Sequence, residues 1–221
     1  MAVAFDAKSE KNWVSSGTTH TWSHTCTGSN LILFVGGQID NTGDKITGIT
    51  YNGVAMTKIM DVSGYDKDAR EYLYYLIAPA TGANNVVITC PSSVNGDFFA
   101  TSFSGARQSS QPDSSASGGT GSATQASFSL TTNVVTADSM LIGCFRQVGA
   151  DEGWAAGANT TIDYGTALNN NSHSTATVGT GNQSLSFTYA TTRRRGGAII
   201  ASIAPSPSPS GGPTRRRFIR H

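Results

Sequence analysis

The groups that could do chemistry are few: four histidines, three cysteines and 14 carboxylates in 221 residues. His20 and His24 flank Trp22 in an alternating stretch. On a strand they stand about 13 Å apart at ~3.3 Å per residue. One metal cannot hold both, because its ligands lie about 2 Å away. Packing beside Trp22 is the expectation. Asp40-Asn41-Thr42-Gly43-Asp44 offers oxygen ligands but lacks the twelve-residue spacing and final Glu of a calcium hand. A turn accounts for it, and Asp61, Asp66 and Asp68, interrupted by Lys67, read the same way. Glycoside hydrolysis needs two acids facing one cleft, yet the neighbours Asp151 and Glu152 would point to opposite faces of a strand. Glu71 is the one acid at the edge of an apolar strand pattern. No GxSxG, Walker or HExxH pattern occurs. Cys26, Cys90 and Cys144 are widely spaced and outside any CxxC, so they read as small buried hydrophobes. The expectation is a protein that is not an enzyme and has no metal or cofactor.

Groups suited to binding stand out more. Arg193-Arg194-Arg195, followed by Gly196-Gly197, reads as an exposed hairpin tip that could meet an acidic partner. Arg215, Arg216, Arg217, Phe218, Ile219 and Arg220 join four positive charges to two apolar anchors near the C-terminus. Arginines pair carboxylates in bidentate geometry and the apolar pair supplies anchors. Nucleic acid is not expected as a partner, since four charges give only a salt-sensitive grip and the net charge is +1. Trp13, Tyr65, Trp154 and Tyr164 fall in or near loop-like segments. Trp154 and Tyr164 are the candidates for stacking on a sugar, with ordinary core packing as the competing reading. Asn159, Asn170 and Asn182 begin glycosylation-type triplets, taken as chance in a chain rich in Asn and Thr.

The elements that would position these groups are strands. Charged residues make up 13%, against about 25% in typical soluble domains. Ser and Thr together supply about a quarter of the chain, and neither favours helices. No apolar run approaches the ~18 residues of a membrane span. The start has no basic region followed by a long apolar one, so no secretory signal is expected. Period-two alternation from Thr18 to Cys26 predicts a half-buried strand. Leu31-Ile32-Leu33-Phe34-Val35 predicts a strand buried on both faces. Residues 46–51 and 54–60 form a hairpin about Asn52-Gly53. Residues 71–77 are aromatic and β-prone, stopped by Pro79. Residues 85–90, stopped by Pro91, and 97–103 complete a first half. The segment 108–123 is nearly all Ser, Gly and turn formers and reads as a surface connection. The pattern then restarts with 126–130, 140–145, 182–190 and 197–204. Met140-Leu141-Ile142-Gly143-Cys144-Phe145 mirrors 31–35.

The fold class expected is all-β: a two-sheet antiparallel sandwich, jelly-roll-like, from an internal duplication. Half-units at about 1–107 and 124–204 would bury their single apolar faces together. Leu31, Leu33, Val35, Tyr74, Leu76, Leu141, Phe145 and Ile200 are the predicted core. Residues 205–221 form a Pro/Ser linker and the basic tail, extended through the Pro-Ser alternation and coreless beyond it.

Several pieces resemble a β-sandwich family of tailed-phage virion proteins and bacterial surface proteins. They are Phe5-Asp6-Ala7, Trp22-Ser23-His24-Thr25, 29–35, 49–56, 74–82 and Ser102-Phe103-Ser104-Gly105. They cover the first half well and the second by pattern alone, and all are buried strands and turns. The resemblance implies a jelly-roll-like, non-enzymatic particle or surface protein, with no catalytic residues to carry over. The expectation is a capsid decoration or cement protein, or a head or tail fibre part, in the virion. Its partners would be the capsid or tail subunit and its own copies, as trimer or dimer, with no membrane. The alternative is a carbohydrate-binding or adhesion module on a phage or bacterial surface.

Overall fold

The computed structural model describes residues 2–41, 43–63, 69–118, 121–148, 153–165 and 169–207, with backbone alone at 13–15, 121–125, 147–148, 169 and 189–195. Among these residues there is no helix. The strands are β1 (Ala4–Cys26), β2 (Ile32–Ile39), β3 (Gly48–Tyr51), β4 (Val54–Ala55), β5 (Thr57–Ser63), β6 (Arg70–Ile77) and β7 (Gly82–Ser104) in the first half. The second half has β8 (Ser114–Gly118), β9 (Gly121–Val134), β10 (Met140–Val148), β11 (Trp154–Ala156), β12 (Thr160–Gly165), β13 (Asn169–Ser174) and β14 (Gly181–Ile203).

Each half makes its own antiparallel sheet. The first runs β4-β3-β7-β2-β6-β5, with β1 on β7; the second runs β11-β14-β10-β13-β12, with β8 and β9 on β14. The two orders match strand for strand: β7 corresponds to β14, β2 to β10, β6 to β13, β5 to β12 and β3 to β11. The internal repeat read from the sequence is therefore a repeat of topology.

The long strands explain how each sheet closes. One stretch of β7 pairs with β3, from Val86 to Thr89, and a later one pairs with β2, from Gly96 to Phe103. β1 follows β7 along its other side and slips register between Lys11 and Thr19. Both stretches contribute to one core: Trp22, Tyr51 and Ile88 pack with Leu33, Val35, Tyr72 and Phe98. Pro91 does not stop the strand. It lies between the Thr19–Thr89 and Gly17–Val94 pairs, where the β1 ladder is interrupted, so its missing N–H costs no pairing there.

A sandwich of two half-units sharing one core understates the molecule, which has three apolar layers. Each half wraps its own core, and the halves then pack against each other through a third. Leu33 and Val35 face the first core, while Ile32 and Phe34 face the seam. On β10, Leu141 and Phe145 face the second half's core, while Ile142 and Cys144 face the seam. Strands predicted to be buried on both faces therefore separate two apolar layers. A fully buried side chain of this size contributes roughly 1.5–3 kcal/mol. The predicted core residues are buried, except Leu76, which is half-buried at the rim of the first core.

Other local expectations hold or shift. From His20 to Cys26, alternate side chains are buried. Asn52 and Gly53 have φ of 48° and 76°, the positive pair that a two-residue primed turn needs. The second arm of that hairpin is only β4, and the chain then crosses to pair β5 with β6. The Ser/Gly-rich segment is not all connection. Ser114–Gly118 is β8, laddered to β14, so the second sheet begins before residue 124. A partner strand overrides weak propensity here. Cys26, Cys90 and Cys144 are free and buried.

Candidate functional site

The residues singled out for binding do not converge. The tail residues Arg215, Arg216, Arg217, Phe218, Ile219 and Arg220 lie outside the described residues, as do Tyr65, Asp66, Asp68, Asp151 and Glu152. Arg193-Arg194-Arg195 is not a hairpin tip. Its backbone runs inside β14, pairing Arg194 and Arg195 with β10 and all three with β9. The Gly-Gly pair that suggested a turn serves close approach instead. A Cβ at Gly196 would lie 2.8 Å from Arg146, and one at Gly197 would lie 2.9 Å from Val62 of the other half. Tyr164 is 7% exposed, so it is no open platform. Trp154 is half-buried, its ring edge-on to Phe187 at 5.4 Å. Both sit where the core needs aromatic volume.

The acidic loop is a turn in which Asn41 Oδ1 accepts from Gly43 N at 2.9 Å. Asp44 and Asp61 each meet Lys58 at 2.6 Å, and Asp61 also pairs with Arg70. His20 packs on Phe98, with ring centroids 5.5 Å apart.

Polar chemistry collects instead along the seam, in two places. At one, Glu71 of β6 is fully enclosed. Burial pushes its carboxyl up to about 8, partly offset by the Arg146 guanidinium and reinforced by Asp97. Gln38 Nε2 donates to Asp97 Oδ2 at 3.3 Å, and Cys144 Sγ reaches Tyr72 O at 3.6 Å. Among the described residues, no nitrogen or oxygen donor meets either oxygen of Glu71, and the Cys144 thiol is the group beside it.

At the other place β1 meets β12 and β13. Lys8 Nζ donates to Asp163 O across the seam. His173 Nδ1 lies 2.7 Å from Asp163 Oδ2, with Phe5 stacked on its ring at 5.0 Å. Thr101 Oγ1 donates to Asn171 Oδ1 at 2.8 Å, and Asn171 Nδ2 donates to Gly143 O at 3.1 Å. Lys8, Ser9, Glu10, Phe99, Tyr164 and Asn171 line a cleft of about 310 Å³. Two charged side chains stand at its rim, and two rings and an amide lie deeper.

Sequence reasoning named Tyr164 but missed the rest of this cluster. The signal was available: Asn169-Asn170-Asn171-Ser172-His173-Ser174 stands where the repeat would place a counterpart of the aromatic strand 71–77. Among the described residues no group of three metal-ligating side chains converges. No family model, curated protein or solved structure matches this chain, so the geometry of the seam is what speaks to its function.

Proposed function

We propose that this chain is a non-enzymatic structural component of a tailed-phage virion: a capsid decoration or cement protein, or a part of a head or tail fibre. The observation that carries the reading is the doubled, three-layered body, in which the long strands β7 and β14 each serve two walls. Such a body suits bearing and spacing. It runs directly into a Pro/Ser linker and a basic, apolar-anchored tail. The pieces that resemble virion and surface proteins fall on strands and turns of this body. In this proposal the tail docks on an acidic surface of a neighbouring capsid or tail subunit. The body associates with its own copies as a trimer or dimer, because closed symmetry is the usual way to cover a symmetric shell.

Deletion of residues 214–221 tests the tether. The truncated body keeps its melting temperature, and mass spectrometry of purified particles finds it depleted relative to the full chain. Undiminished incorporation would refute the anchor role. Light scattering that finds only monomer at high concentration, with no particle binding, would refute the assembly role. As an exposed-aromatic module for sugars the chain is less well supported, since Tyr164 is buried and Trp154 half-buried.

A further inference from the structure

We infer that two copies of this chain join edge to edge along Thr19–Thr25 of β1, antiparallel about a two-fold axis at Trp22. The inference deepens the self-association proposed above and rests on that part of it. Three observations carry it.

The first is the way the backbone of β1 faces. On β7, Asn85 O accepts from Asn52 N at 3.0 Å and Thr89 O accepts from Thr47 N at 2.9 Å, so this alternate set points toward β3. The set between, Asn84, Val86 and Ile88, then points toward β1, where it meets His24, Trp22 and His20. By the same alternation Thr19, Thr21, Ser23 and Thr25 turn their N–H and C=O groups away from β7. All four residues are exposed, and among the described residues no strand pairs with that side of β1.

The second is that this edge lacks what keeps other edges apart. Strand edges are guarded by charges, prolines, bulges or shortness. β4, β11 and β8 are only 2, 3 and 5 residues long. β5 carries Lys58, Asp61 and a register shift, and β12 carries Asp163 and a register shift. Thr19–Cys26 holds no charged residue and no proline, and it keeps one register throughout. β9, the counterpart of β1, is equally uncharged from residue 126 to 134. Where β1 exposes three threonines, however, β9 exposes Ser127, Ser129 and Asn133 beside Thr131, and these are weaker strand formers.

The third is what selects a second copy as the occupant. Residues 19–25 read Thr-His-Thr-Trp-Ser-His-Thr, a palindrome about Trp22 in which the one mismatch exchanges Thr for Ser. A two-fold interface sets residue i against j and j against i. With the axis at Trp22, Thr19 faces the partner's Thr25 and Thr21 faces the partner's Ser23. These are the residues whose backbones point outward, so they form the hydrogen-bonded pairs. Hydroxyl meets hydroxyl in each, a cross-strand match that stabilises sheets. His20 faces the partner's His24, and Trp22 faces its own counterpart. The β4-β3-β7-β1 walls of the two copies become one continuous sheet.

The test uses the ¹⁵N-labelled full chain. Pairing along one edge makes a small interface, so sedimentation equilibrium runs up to about 1 mM subunit. It finds a monomer–dimer equilibrium. As the dimer fills, amide exchange at Thr19, Thr21, Ser23 and Thr25 slows about tenfold or more, while His20, Trp22 and His24, already bonded to β7, change little. Thr21→Pro removes an outward N–H and leaves the β7 ladder whole, the setting in which strands tolerate proline. Thr21→Lys brings two like charges to diagonal positions across the axis. Both variants keep the folded spectrum of the monomer and weaken the dimer at least about tenfold. Should Thr21→Pro disturb the fold, Thr21→Lys and the exchange pattern of the unaltered chain decide. Monomer alone at the highest concentration overturns the inference. So does an oligomer that Thr21→Lys leaves intact, or protection that appears at Ser127, Ser129 and Thr131 of β9 instead. Deletion of residues 214–221 leaves the dimer unchanged. Absence of the chain from particles alongside a β1 dimer would therefore sink the virion reading and leave this inference in place.

Discussion

Trp22 Nε1 donates to Ser9 Oγ at 3.0 Å, and Ser9 Oγ lies 2.9 Å from His24 Nδ1. On the other side His24 Nε2 lies 3.1 Å from Ser102 Oγ, which donates to Asp6 Oδ2 at 2.7 Å. Ser102 spends its one hydrogen on Asp6, so it accepts from His24 Nε2. His24 therefore carries a proton on Nε2, and in the neutral ring Nδ1 accepts from Ser9, which accepts in turn from Trp22. Burial favours that neutral ring, pushing its pKa down to about 4, against a smaller opposing pull from Asp6. An unfolded chain takes up this proton near 6.5 and the folded one only near 4. Stability from this residue is complete above pH 6.5 and is lost as pH falls toward 4, by at most about 3 kcal/mol. Urea unfolding at pH 7 and pH 4.5, run on the unaltered chain and on His24→Gln, isolates the loss: relative to the variant, the unaltered chain should lose stability toward acid. An unchanged difference in the variant would assign the acid sensitivity elsewhere. The alternation around Trp22 put His24 inside from sequence alone. Its partners come from positions 9 and 102, which no local pattern could name.

At the level of the strand, β6 carries the opposite pH dependence. Glu71 titrates near 4.5 in an unfolded chain and at about 8 when enclosed beside Asp97 and Cys144, with Arg146 the nearby positive charge. Its neutral form is the one the fold accepts. Stability is full below pH 4.5 and declines as pH rises toward 8, by at most about 5 kcal/mol. Between 4.5 and 6.5 this slope opposes that of His24; above 6.5 it acts alone. Chemical denaturation across pH 6.5–8.5 should show a fall that Glu71→Gln, a mimic of the protonated acid, removes. A parallel fall in both proteins would mean that Glu71 is not its source. Strands were also where sequence was most and least legible. The continuous apolar runs of β2 and β10 announced burial on both faces, and Asn52-Gly53 announced its turn. Pro91, Gly196-Gly197 and the Ser-rich β8 misled for one reason. Each reads as punctuation locally, and each is fixed by a neighbour distant in sequence: a ladder interruption, the side chain of Arg146 with the strand edge of Val62, and the ladder of β14. The polar strand β13 was passed over because six polar residues give no hydrophobic period to detect.

For the molecule as a whole, the three cores share walls. Phe34, Phe99 and Phe103 from the first half close against Ile142, Ile199 and Ile203 from the second. The same strands carry the inner cores on their other faces. Neither half can open without stripping a wall from the middle layer. Thermal unfolding should therefore be a single calorimetric transition, with van't Hoff and calorimetric enthalpies in agreement, even though 221 residues exceeds the roughly 150 for which this is usual. Phe103→Ala, in the middle layer, should lower that one transition by an amount corresponding to about 3–5 kcal/mol. Two resolved transitions, with only one displaced by the substitution, would show the halves to be independent.

The end of β14 also decides how the body would behave under tension. Its last residues are gripped from both sides, by β10 along Ala198–Ile203 and by β8 along Ala198–Ser202. The backbone is then fastened again where Ser206 N donates to Gly105 O at 2.7 Å and Arg107 N donates to Ala204 O at 2.9 Å. A pull delivered through the Pro/Ser segment along the strand axis would load both ladders in shear. Many hydrogen bonds would have to yield together, where peeling an edge strand breaks them one by one. Residues 205–207 continue from the sheet at a point suited to serve as a mooring.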